Sequence, residues 1–149
     1  MKKRDQAPET SAAHLEVYRD VSILLLAIGN QLQNYFADCA KELDLTASQA
    51  KILMALSPEV TIAMRDLAQQ LGYDPSNLTG PVDKLESRSA VRRQPDQNDR
   101  RIKGLVITKE GIRIRDAFWR RLVRDPGPLR GLKIEEARRL RHLLQLAMR

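Results

Sequence analysis

Residues 64–86, "MRDLAQQLGYDPSNLTGPVDKLE", hold two helical stripes separated by a very short break. Met64, Leu67, Ala68 and Leu71 recur at helical spacing and stop at Gly72, the residue type that most easily adopts the left-handed turn ending a helix. Asp74 followed by Pro75 reads as a helix start. The carboxylate can accept from free backbone N–H groups, and proline at the first helical position loses no hydrogen bond. Leu78, Val82 and Leu85 then renew the apolar spacing. Two helices joined by a short turn containing glycine form a helix-turn-helix, which limits what the remaining chain can build around it.

The flanking segments fit that frame. From about 13 to 43, Leu15, Tyr18, Val21, Leu25, Ile28, Leu32, Tyr35, Phe36, Cys39 and Leu43 mark one long amphipathic helix uninterrupted by proline. Thr46 or Ser48 can cap a shorter helix ending before Pro58. After the helix-turn-helix the period changes: "AVRRQ" and "GLVIT" read as a β-hairpin around a loop in which Pro95, Asp96 and Asn98 suit the turn. Thr108 can cap a helix over about 109–124, stopped by "DPGP", and a last helix spans about 134–148. Three helices followed by a hairpin is the order of a winged helix-turn-helix. The expected fold is mainly α with a small β-hairpin wing. Residues 1–11 are expected to be a disordered tail, and 12–149 a single domain. Within it, about 46–108 form the winged helix-turn-helix, and about 13–43 and 109–149 supply dimerisation helices. Three extra helices carry more apolar stripe than a lone helix-turn-helix can bury, which favours a homodimer.

Charge points to the partner. The chain has 26 Lys and Arg against 19 Asp and Glu, a formal +7, and its pI is about 9.9. That excess favours a polyanion such as nucleic acid. It is concentrated: Arg88, Arg92, Arg93, Arg100, Arg101 and Lys103 face only Asp96 and Asp99 across residues 88–103. Cys39 is the one cysteine, so an internal disulfide is excluded and a reducing cytoplasmic setting is expected. The apolar run "VSILLLAI" is too short to span a bilayer, and the N-terminus lacks a secretory pattern. Two distant histidines and one cysteine offer no metal-ligand spacing. No Gly-rich phosphate loop or nucleophile elbow appears, so neither an enzyme nor a cofactor is expected.

A recognition helix placed in the major groove reads base edges with the residues it turns outward. With Leu78, Val82 and Leu85 inward, those residues are Pro75, Ser76, Asn77, Thr79 and Gly80, with Lys84 a turn further on. Arg88, Arg92 and Arg93 suit phosphates, and the hairpin loop offers Arg100, Arg101 and Lys103 to the duplex.

Residues 66–111 closely resemble the MarR family of bacterial transcriptional regulators. The shared pattern is "LA..LG", then "VDKLE", "PD..DRR" and "IT.EG", and the resemblance extends over about 13–148. It implies a homodimer formed by the N- and C-terminal helices, bound as a repressor to a pseudopalindromic operator on double-stranded DNA. It also implies that Arg101 enters the minor groove and that Asp99 holds Arg101 in place. A small aromatic or anionic ligand bound between the two regions is a further family expectation, and redox sensing through Cys39 is an alternative. Three positions depart from the family pattern. Pro81 stands inside the recognition helix and should kink it or delay its regular part. Gly80 stands where arginine is common, and Ser89 where a capping glycine is usual. Two other functions remain open on the residues alone: a non-specific or RNA-binding winged-helix protein, and a helical interaction module with a basic surface.

Overall fold

The structure, a computed structural model, describes residues 12–95 and 103–149. Expectations for the 1–11 tail and for Asp99, Arg100 and Arg101 fall outside the described residues. The chain runs α1 (Ala12–Lys41), α2 (Ala47–Ala55), β1 (Ile62–Ala63), α3 (Met64–Leu71) and α4 (Ser76–Ser87). The wing strands β2 (Val91–Pro95) and β3 (Lys103–Ile107) follow, then α5 (Lys109–Arg124) and α6 (Ile134–Ala147). A short 3-10 turn, Gly127–Leu129, lies between the last two helices.

Local chemistry explains most boundaries. Thr46, rather than Ser48, caps α2 through a reciprocal box: its hydroxyl accepts from Gln49 N at 3.2 Å and its N–H donates to Gln49 Oε1 at 2.8 Å. Gly72 ends α3 at φ 66°, in the left-handed region as its position predicts. Thr108 starts α5 by accepting from Gly111 N at 3.0 Å, while its hydroxyl donates to the Ser89 carbonyl at 2.6 Å. Gly111 is required there, because a Cβ would lie 2.0 Å from the Ala90 carbonyl oxygen. Ser89 holds φ 56° without glycine's freedom, so the expected departure is carried as a left-handed serine.

The sheet is antiparallel in the order β1-β3-β2, with Val91 opposite Ile107 and Arg93 opposite Leu105. The two-residue strand β1 has no periodic signal and exists because β3 passes beside it, Ile62 facing Leu105. The core gathers Leu45, Ile52, Leu53, Leu67, Leu78, Val82, Leu85, Val91 and Leu105. Phe36 of α1 meets Phe118 of α5 edge to face, with centroids 4.8 Å apart.

Burial divides α1. Cys39 and Ala40 are buried and Tyr35 and Phe36 half-buried, yet Leu15 is 58% exposed and Leu26 70%. On α6, Leu143 is 61% exposed, and no residue of that helix is buried.

Candidate nucleic-acid interface

The reading surface rests on α4. Leu78, Val82 and Leu85 are fully buried and fix the helix rotation, leaving Pro75, Ser76, Asn77, Thr79, Gly80 and Lys84 exposed together. The sequence expectation for this set therefore matches the exposed face. Its N-terminus is fixed by Asp74, whose carboxylate accepts from Ser76 N at 2.9 Å and from the Ser76 hydroxyl at 2.6 Å. The Ser76 hydroxyl, then its backbone N–H, hold the Asp74 carboxyl below the usual carboxylate range. Pro75 already has helical angles, φ −54° and ψ −30°, as expected for proline preset at a helix start.

Pro81 neither breaks α4 nor delays it: the helix runs from Ser76 to Ser87 with the proline inside. The missing N–H leaves the Asn77 carbonyl without its helical donor, but Asn77 is exposed and water can serve instead. A Cβ at Gly80 would meet nothing within 4 Å, so packing does not select glycine there. Its effect is to leave the backbone bare on the outward face.

The three arginines grouped as phosphate contacts go three separate ways. Arg93 turns onto α4, where it donates to Asp83 Oδ1 at 2.6 Å and to Glu86 Oε2, while its backbone N–H donates to Glu86 Oε1 at 3.1 Å. The Asp83 hydrogen bond is the largest influence raising its pKa, so it is a fixed cation. Arg88, just past the end of α4, donates to the carbonyls of Asp44 and Leu43 at 2.7 and 3.4 Å, tying the helix to the α1–α2 turn. Arg92 points to the opposite sheet face, along a cleft of about 460 Å³ shared with Glu59, Val106, Lys109 and Ile112. Lys103 opens β3 opposite Pro95.

Sequence reading passed over Asp83 and Glu86. Their spacing of three on α4, against a strand beginning "VRR", carried the signal, because a strand sends neighbouring side chains to opposite faces. The clamp cancels an acidic charge that Asp83 would otherwise present beside the reading face.

A second polar cluster joins α1 to α5. Arg121 pairs with Glu42, with Nη2 to Oε1 at 2.5 Å, and donates to the Tyr35 hydroxyl at 3.3 Å. The Tyr35 O–H donates to the Asp125 carbonyl at 2.5 Å. Arg121 holds the Glu42 carboxyl below its ordinary range, and burial followed by the neighbouring Cys39 pushes the Tyr35 phenol up. Cys39 is fully buried beside this cluster. Among the described residues, no helix is long and apolar enough to cross a membrane.

A capped helix-turn-helix with a polar outward face, backed by a three-stranded sheet, defines a winged-helix protein of the DNA-binding class. The family model for MarR matches residues 45–103. One curated relative is the uncharacterized HTH-type transcriptional regulator YfiV of Bacillus subtilis, 34% identical over 73 residues. That alignment covers 49% of this chain and 46% of YfiV, so the chain spans about half the length of that relative. The apo crystal structure of MarR from E. coli superposes with TM-score 0.77 at 24% identity, covering 86% of this chain and 96% of that one. CouR of Rhodococcus jostii RHA1, solved bound to p-coumaroyl-CoA, gives TM-score 0.69 at 27% identity over 85% of this chain and 90% of its own. Residues 45–103 thus match a MarR-type domain, and the fold around them is that of MarR structures.

Proposed function

We propose that this protein is a cytoplasmic, sequence-specific transcriptional regulator that binds a pseudopalindromic double-stranded operator as a homodimer and acts as a repressor. The observation that carries the reading is the outward face of α4: Ser76, Asn77, Thr79 and Gly80 stand exposed on a helix whose other side is fully buried. Those side chains can exchange hydrogen bonds with base edges in the major groove, where each base pair shows a distinct pattern. The homodimer is supported by the bare apolar surfaces of α1 and α6, which a second copy would cover. Two recognition helices in such a dimer would lie about one DNA turn apart, roughly 34–36 Å.

At the wing, Arg101 is assigned to the minor groove and Asp99 to orienting it. Arg100 and Lys103 add phosphate contacts, with Arg92 as a further candidate. Release by a small aromatic or anionic ligand is supported by CouR, whose crystal structure holds p-coumaroyl-CoA. Such a ligand would favour a dimer with wrongly spaced recognition helices.

Gel shifts at several salt concentrations, using DNA upstream of the gene and a scrambled duplex, test the reading. Tighter binding to the upstream DNA supports it, whereas equal affinity for both would make the protein a non-specific binder. Arg101→Ala should weaken binding and lower the magnitude of the salt slope by about one. Asp99→Ala should also weaken binding, although it removes a negative charge near DNA. Tighter binding by that variant would refute the positioning role.

A further inference from the structure

We propose that the cleft between the α1–α2 turn and the C-terminal half of α4 grips a phosphate of the DNA backbone, with Lys41, Lys84 and Arg88 as its cations. The inference rests on the DNA-binding reading and adds to it a contact supplied from α1, outside the winged helix-turn-helix. The cleft has a volume of about 460 Å³, and Asp44, Thr46 and Gln49 complete the polar part of its wall.

The wall carries three cations against one acid, Asp44. Thr46 and Gln49 are engaged with each other in the α2 capping box, and the neighbouring Ser87 hydroxyl donates to the Lys84 carbonyl at 2.9 Å. The cations are not engaged in this way. Among the described residues, Arg93, Arg113, Arg115, Arg121, Arg130 and Arg138 all sit within ion-pair distance of a carboxylate, whereas Lys41, Lys84 and Arg88 do not. Arg88 is held in place by two carbonyls, which leaves the rest of its guanidinium fork available. Asp44, whose carbonyl takes the shorter of those bonds, sits at φ 55°, a conformation aspartate tolerates better than most residues.

Three cations around an open cleft outweigh its single carboxylate, Asp44, and the excess positive charge favours a further anion. Placement says which anion. Lys84 lies four residues beyond Gly80 on α4, so the cleft opens where the recognition helix leaves its base-reading residues. Lysine and arginine at that point meet the sugar–phosphate strand bordering the groove, positioning the helix without carrying sequence information.

The test uses the full-length dimer and measures affinity against salt for upstream and scrambled duplexes. Lys41→Gln and Lys84→Gln should each reduce the magnitude of the slope by about 0.9, so that affinity falls roughly threefold less between 50 and 200 mM salt. Both duplexes should lose affinity equally, leaving their ratio unchanged. Arg139→Gln, on α6, removes the same charge elsewhere and should leave the slope at the wild-type value. A wild-type slope for Lys41→Gln, in protein folded by circular dichroism and dimeric by sedimentation, would overturn the clamp. So would an equal fall in slope for Arg139→Gln, which would reduce the effect to net charge. If wild-type protein binds both duplexes alike, the regulator reading fails, while the slopes on either duplex still decide the clamp.

Discussion

Arg92 and Arg93 are identical neighbours with different tasks. The strand sends one to the outer sheet face and the other into a two-carboxylate clamp on the recognition helix. Arg93→Ala should therefore weaken operator binding while keeping the wild-type salt slope, whereas Arg101→Ala should lower the slope as well. It should also lower folding stability by about 1 kcal/mol in urea unfolding, since the pair is only partly shielded from solvent. A reduced slope with unchanged stability would return Arg93 to the phosphate contacts. Tyr35→Phe removes a hydroxyl whose partner is a backbone carbonyl near the end of α5, and should cost about 1 kcal/mol in the same measurement. At this scale the sequence was informative where a residue acts through its own backbone position, as at Gly72, Asp74 and Thr108. It was silent where two distant segments cooperate. Nothing near Tyr35 announces Arg121 or Asp125, because their meeting depends on how α1 and α5 pack.

Helices were legible because capping and periodicity are local, and their observed ends lie within a residue or two of those expected. Pro81 lies inside α4, which runs from Ser76 to Ser87 and so does not begin later as the alternative to a kink required. Pro81→Ala would restore a hydrogen bond to the Asn77 carbonyl and should raise stability by up to about 3 kcal/mol, read as a higher midpoint in thermal unfolding. A lower midpoint would mean that the half-buried proline ring is needed for packing. The contact between α1 and α5 predicts a pH dependence. Arg121 depresses the Glu42 carboxyl in the folded protein, so its stabilisation is complete above the ordinary carboxylate value of about 4.3 and is lost as pH falls through the lower folded value. Glu42→Gln should consequently lose stability less steeply than wild type on acidification from about pH 5 to 3. Asp74 and Asp125 are depressed in the same direction, the latter chiefly by the Gly127 N–H, so some acid sensitivity should remain.

For the molecule as a whole, net charge was a less specific guide than it first looked. Residues 109–149 carry twelve basic against five acidic residues, away from the recognition helix. Several of those arginines are committed to intramolecular pairs, including Arg113 with Glu110, Arg121 with Glu42 and Arg130 with Asp125. The proposed site rests on where cations without carboxylate partners, among the described residues, and polar side chains stand, which composition cannot report. Long apolar stripes on the outer helices were equally readable, but only burial revealed that the N-terminal half of α1 is exposed and that no residue of α6 is buried within one chain. Leu25→Asp and Leu143→Asp should shift the protein toward monomer in sedimentation and weaken binding to a two-half-site duplex far more than to a single half-site. A dimer that tolerates both changes would place the interface elsewhere.

The uncovered face of α6 has a bearing on supply. A helix of fourteen residues is marginal in water without something to pack against, so in the proposed dimer its order would be tied to meeting a second copy. Folding midpoint and operator occupancy should then rise together with protein concentration. In the proposed regulator, a falling protein concentration would take away partners and structured ends in the same step, and control would lapse more abruptly than a fall in copy number alone would bring.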